Sequence, residues 1–143
     1  MVLSVPSVTD LGERVRGWFR REPKVVVPRT ILIADGNAKN RQTTARRIES
    51  LGYEPLQSSS IADTLEQLEQ VDPDFILLGF ELVDGQGLDA LSKIRAIDPD
   101  LAVVMLAADL WDTRVADAMR QGAIAYLPRP FNQDDLREVL GRR

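Results

Sequence analysis

From Thr30 onward, short unbroken apolar runs alternate with amphipathic stretches, and this alternation leaves few folds open. A run such as Ile31-Leu32-Ile33-Ala34 has no polar face, so it suits a strand covered on both sides, as in a parallel sheet. Residues 38–51 then place Ala45, Ile48 and Leu51 on one side of a helix, with Gly52 as its stop. Residues 53–57 read as a second strand, and Ser59 or Ser60 can cap a helix in which Ile61, Leu65 and Leu68 recur at the helical period. After Pro73 come a third strand at 74–78, a loop rich in Asp and Gly, and a helix with Leu88, Leu91 and Ile94 inward. Residues 101–106 form a fourth strand, and Asp109 or Asp112 can cap a helix that turns Val115, Ala118 and Met119 to the sheet before Gly122 ends it. Residues 123–127 are a fifth strand, and Asn132 with Asp135 resembles a capping box opening the last helix. Repeated βα units of this kind predict an α/β fold with five strands and five helices around a parallel sheet.

Several kinds of chemistry are absent from the start. The chain has no cysteine and no histidine, which removes disulfides, thiolate and imidazole metal sites, and Ser-His or Cys-His catalysis. No glycine-rich phosphate loop follows the first strand, and no cofactor or bound metal is expected. Apolar runs such as 75–78 and 101–108 fall short of the roughly 20 residues a membrane span needs. Residues 1–8 lack a charged start followed by a long apolar region, so a cytoplasmic location is expected. A net charge of −4 argues against nucleic acid as a partner, because phosphate neutralisation needs a clustered basic surface.

The chain divides near Pro28 into an extension, residues 1–28, and a domain, residues 29–143. The extension carries five basic and three acidic side chains, net +2, so the remainder carries −4 − 2 = −6. Asp10 with Glu13 marks a helix start, Leu11, Val15, Trp18 and Phe19 fall on one face, and Pro23 bounds the end. Arg14, Arg16, Arg20 and Arg21 lie off that face, while Gly12 and Gly17 each weaken the helix by about 1 kcal/mol relative to alanine. Such a helix needs a surface to form on. Three are open: the rest of the protein or a second copy, through which it would self-associate; the groove of a partner; or an anionic membrane surface. Packing within the protein or a dimer is the working expectation, and residues 22–29 read as an extended linker.

Over residues 30–141 the sequence resembles the receiver domains of bacterial two-component response regulators. The resemblance is carried by Ile31-Leu32-Ile33-Ala34-Asp35, by Pro73-Asp74-Phe75-Ile76-Leu77-Leu78, and by Gly122-Ala123-Ile124-Ala125-Tyr126-Leu127-Pro128-Arg129-Pro130-Phe131, in order, with Gly87-Leu88 at the family's Gly-Leu helix start. It implies the flavodoxin-like, doubly wound fold with strand order 2-1-3-4-5 and a site at the carboxyl ends of the strands. It also implies a cis bond before Pro130.

At the positions that carry the family's chemistry, this sequence departs from the pattern. The aspartate that accepts a phosphoryl group is replaced by Gly79, which has no side chain to act as a nucleophile. The magnesium-holding acidic pair becomes Asp35-Gly36, the hydroxyl residue ending the fourth strand becomes Ala107, and the lysine before the last proline becomes Arg129. Only Asp35 is retained. Arg129, whose planar fork suits a carboxylate, is expected to bind Asp35 or Glu81 and fill the vestigial pocket, the other choice being that it points to solvent. With Ala107 in place of a hydroxyl, Tyr126 is expected to hold one rotamer. Trp111 is either an interface anchor or a half-buried tryptophan packed on its own domain. The expected function is that of a degenerate receiver, or pseudo-receiver. It is not an enzyme but a phosphorylation-independent module that binds another signalling protein, with no room in this length for an attached output domain. The other reading is a receiver phosphorylated on a displaced acid such as Asp84.

Overall fold

The computed structural model describes residues 29–141. Along the chain lie β1 (Thr30–Ala34), α1 (Ala38–Ser50), β2 (Glu54–Ser58), α2 (Ile61–Gln70), β3 (Phe75–Gly79), β4 (Glu81–Leu82), β5 (Gly85–Gln86), α3 (Gly87–Ile97), β6 (Ala102–Ala107), α4 (Val115–Arg120), β7 (Ala125–Pro128) and α5 (Gln133–Leu140). The five principal strands form one parallel sheet in the order β2-β1-β3-β6-β7, the doubly wound order that the resemblance implies. Alternation along each strand sorts its side chains between two helical layers. Ile31, Ile33, Phe75, Leu77, Val104 and Leu106 pack with Ala45 and Ile48 of α1 and Leu136, Val139 and Leu140 of α5. Leu32, Ala34, Ile76, Leu78, Val103 and Met105 pack with Ile61 of α2, Ala90, Leu91 and Ile94 of α3, and Ala118 of α4. Both faces of the central strands are therefore dry, which is why their sequences carry no polar alternation.

Helix ends follow the capping residues where a side chain is available for the task. Asn37 caps α1 by accepting from the Asn40 N–H at 2.8 Å, Ser60 caps α2 through the Asp63 N–H at 3.0 Å, and Asn132 with Asp135 forms a reciprocal capping box on α5. Gly52 and Gly122 adopt φ of 94° and 103° after α1 and α4, a region that other residues enter only with strain.

The segment between β6 and β7 differs from the sequence reading. Neither Asp109 nor Asp112 caps α4, because both carboxylates are used inside the preceding loop, where Asp109 accepts the Trp111 N–H at 2.8 Å and Asp112 accepts the Ala108 N–H at 2.9 Å. The helix is only six residues long and meets the core through Ala118, while Met119, 100° further round, is 39% exposed instead of facing the sheet. The loop after β3, expected to be irregular, closes as a small antiparallel ladder between β4 and β5. The N-terminal helix residues Leu11, Val15, Trp18 and Phe19 lie outside the described residues. Among the described residues no helix is long and apolar enough to cross a membrane.

Candidate functional site

At the carboxyl ends of β1, β3 and β6 the strands open into a cavity of about 380 Å³, bordered by Asp35, Gly36, Gly79, Glu81, Arg114 and Arg129. Asp35 continues β1 and is fixed through its backbone, its N–H donating to Ser58 O at 3.0 Å and its own carbonyl accepting from Arg41 Nη1 at 2.8 Å. Its carboxylate is 95% buried as a residue and has both oxygens engaged. Oδ1 accepts the Asn37 N–H at 2.9 Å, and Oδ2 accepts the Arg129 guanidinium Nη2. Arg129 is brought there by β7, since its N–H donates to Ala107 O at 3.1 Å, and the bond that follows it, to Pro130, is cis. Of the two acids open to Arg129 in the sequence, the fold brings Asp35 to it and gives Glu81 to Arg114.

The two glycines of the site differ in what surrounds them. A Cβ built on Gly79 meets nothing closer than Asp35 Cγ at 3.4 Å, so the cavity has room for a side chain at this position and the sequence does not supply one. Gly36 instead lies against the β4 backbone: its N–H donates to Glu81 O at 2.9 Å, and a Cβ there would come within 2.7 Å of that same oxygen. These residues do not fit the magnesium ion that the resemblance implies. Such an ion needs several near-octahedral oxygen ligands, but of the two carboxylates bordering the cavity Asp35 is paired with Arg129 and Glu81 lies beside Arg114, and Gly36 and Gly79 bring no side-chain oxygen. Among the described residues no group of three or more acidic side chains could hold a metal ion.

A second ion pair fixes Arg114, which forms part of the cavity wall. Asp112, with its side chain 3% exposed, accepts Arg114 Nε and Nη2 in a bidentate fork, each at 2.9 Å, together with the N–H groups of Ala108 and Arg114. The Arg114 guanidinium and then these backbone donors hold the Asp112 carboxyl far below the usual carboxylate range, against the opposing effect of burial. The same pairing raises Arg114. Arg114 in turn lies over the Phe80 ring at 4.5 Å and reaches Glu81 Oε2 at 3.8 Å, so the loop after β6 is tied to the segment after β3. The sequence reading missed this cluster. Its only signal was the acid and base two apart in Asp112-Thr113-Arg114, a spacing the helix-cap interpretation had already absorbed.

The remaining residues of interest fall elsewhere. Ala107 is fully buried in the layer beneath the cavity, whose wall is formed by its neighbours Leu106 and Ala108. Tyr126 is 41% exposed on the edge strand β7 and borders a separate groove with Leu110. Trp111 is 84% exposed, which overturns the half-buried packing on its own domain, because the Asp109 and Asp112 turns direct this part of the loop outward. Asp84 does not border the cavity. Its carboxylate accepts the N–H groups of Ile61 at 2.6 Å and Ala62 at 3.1 Å at the start of α2, and those bonds lower its pKa.

Comparison with known proteins agrees with this geometry. Residues 31–141 match the family model described as response regulator receiver domain. The DNA-binding transcriptional regulator NtrC of Rhizobium meliloti is 29% identical over 113 residues, which are 79% of this chain and 23% of that protein. The chain thus spans about a quarter of the length of the NtrC regulators it matches. The chemotaxis protein CheY of Thermotoga maritima is 25% identical over 113 residues, covering 78% of this chain and 94% of CheY. Among solved structures, the receiver domain of the sensor histidine kinase PA1611 from Pseudomonas aeruginosa, which has a magnesium ion coordinated in its active-site cleft, superimposes with a TM-score of 0.75. It is 24% identical, over 81% of this chain and 97% of that one.

Proposed function

The chain belongs to the response regulator receiver domain family, and from that premise we propose that it is a pseudo-receiver: a phosphorylation-independent module that acts by binding another signalling protein. One observation carries this reading. Where a phosphoryl acceptor would stand there is a glycine, and the arginine that replaces the lysine is bound to Asp35, the one acid retained at the positions the resemblance marks. A carboxylate paired in this way, with its other oxygen on a backbone N–H, is a poor metal ligand, and phosphoryl transfer without a metal or an acceptor has no route. The module is therefore proposed to be non-enzymatic and cytoplasmic, without a metal or cofactor and without nucleic acid as its partner. Its contact surface is proposed to include Trp111 and Tyr126, both exposed beside the loop that the Asp112–Arg114 pair holds.

Phosphorylation on Asp84 is the competing reading, and its geometry is unfavourable. That carboxylate is engaged by two backbone N–H groups at the start of α2 and does not border the cavity. Incubating the protein with acetyl phosphate and magnesium and measuring its intact mass separates the two. No phosphoryl adduct is expected, and a stoichiometric adduct on any acid would refute the proposal.

A further inference from the structure

Two apolar surfaces lie apart from the pocket and carry opposite net charge, the first of them sharing Tyr126 with the proposed partner-contact surface. The first is a groove of about 360 Å³ along the sheet's edge strand β7 and helix α5, where Leu110 is 69% exposed and Tyr126 is 41% exposed over a floor of Pro128, Phe131 and Val139. Asp135, which also closes the α5 capping box, and Glu138 give it an acidic margin, and Arg129 borders it as well. The second is the Leu11, Val15, Trp18 and Phe19 stripe of the extension, with Arg14 and Arg21 beside it. We propose that residues 10–21 dock as a helix in the β7–α5 groove of the same chain, with the aromatic pair Trp18 and Phe19 as anchors and the arginines facing the acidic margin.

Reach and size both permit this. Arg29 is fixed at the start of β1, where its carbonyl accepts the Glu54 N–H at 2.8 Å. From β1 to β7 there are three strand steps, through β3 and β6, or about 14 Å at the usual spacing. The linker of residues 22–28 spans up to about 23 Å when extended. Helix α5 runs back from the carboxyl ends of the strands, so Glu138 and Val139 lie toward the side of the sheet from which that linker leaves. The cavity has the volume of a small-ligand pocket, so it takes anchoring side chains from a helix lying across it rather than the whole helix. Net charges of +2 on the extension and −6 on the remainder add attraction, and a tether this short gives the segment an effective concentration on the order of millimolar. Docking also supplies the surface that a helix weakened by Gly12 and Gly17 requires. This inference does not rest on the pocket being inert, because the groove and the extension are as described whether or not the protein accepts a phosphoryl group.

The test uses the full chain carrying Trp111→Phe, which leaves Trp18 as its only tryptophan. Docking predicts blue-shifted Trp18 emission and protection from acrylamide, both unchanged on dilution through concentrations at which sedimentation shows a monomer. Adding Leu110→Asp with Tyr126→Asp on the groove, or Val15→Asp with Phe19→Asp on the extension, is expected to abolish the shift and the protection. The second pair lies outside the domain and does not threaten its fold. Trp18 that is solvent-exposed in the parent, or protection insensitive to the groove variants, would overturn the proposal. So would protection lost on dilution, which would assign the contact to a second copy, or protection seen only with phosphatidylserine vesicles, which would assign it to a membrane.

Discussion

Adding a single methyl group to either glycine of the pocket is expected to have opposite effects. At Gly36 the new Cβ would lie 2.7 Å from Glu81 O, 3.1 Å from Leu82 Cα and 3.2 Å from the Leu82 carbonyl carbon, all backbone atoms that cannot rotate away. Relief requires moving the β4 segment and stretching the Gly36 N–H to Glu81 O bond, now 2.9 Å. Overpacking of this kind costs about 1–3 kcal/mol, and the weakened hydrogen bond adds about 1 kcal/mol. At Gly79 the nearest atoms would be Asp35 Cγ at 3.4 Å and Ala34 O at 3.5 Å, ordinary contacts, and φ is not positive. Gly79→Ala is therefore expected to be stabilising by about 0.4–1 kcal/mol, mainly by restricting the unfolded chain. In urea, with a slope of about 2 kcal/mol per molar, Gly36→Ala should lower the unfolding midpoint by about 1–2 M while Gly79→Ala raises it slightly. Equal midpoint shifts for the two variants, in either direction, would show that the close approach at Gly36 does not constrain the pocket.

Two further outcomes follow from the ion pairs. Arg129→Met leaves the buried Asp35 carboxylate with only a backbone donor and should cost about 2 kcal/mol, less than for a fully buried pair because Arg129 is a quarter exposed. Adding Asp35→Asn should recover part of that loss in urea unfolding, and additive single effects would refute the coupling. For Asp112 the folded-state pKa lies below its ordinary 3.8, so the unfolded chain takes up protons first as the solution is acidified. Its contribution to stability is complete above about pH 5, and it should decline as pH falls through 4 and below. Asp112→Asn should be less stable than the parent at pH 7 and that gap should narrow toward pH 2.5; a difference independent of pH would refute the assignment.

The sheet was legible because each central strand is buried on both faces and so appears as an unbroken apolar run, and the helices were legible from period and caps, as at Ser60 and Asn132. Gly79, the position at which the resemblance implies an acceptor, could also be placed, since it ends the third strand. Three features could not be read in this way. The meaning of Gly36 depends on the Glu81 carbonyl, which approaches from a turn more than forty residues away, and no local pattern records that approach. Asp109 and Asp112 are as suited to capping a helix as to closing a loop, and the choice is made by the Ala108 and Trp111 N–H groups and by Arg114. The exposure of Trp111 follows from that choice, and an indole gives no sign in sequence of which way its loop will turn.

On the proposed reading, what the pocket has gained matters as much as what it has lost. A receiver that switches needs a ligand that binds one conformation better than the other, and the coupling ends when the ligand leaves. Here the charges that a bound ligand would supply or neutralise are already met inside the chain: Arg129 meets Asp35 across the strand ends, and Arg114 at the cavity wall meets Asp112 of its own loop. Both partners of each pair are held at the high effective concentration of a folded chain, so neither pair depends on a ligand drawn from solution. Because Asp112 also takes the Ala108 N–H and Arg114 rests on Phe80, the loop carrying Leu110 and Trp111 is positioned by the same bonds that fix Arg114 at the wall of the pocket. Loosening the pair at Asp112 should therefore disturb the contact surface and the cavity together, whereas in a pocket organised by an external phosphoryl group the surface would respond to that group instead.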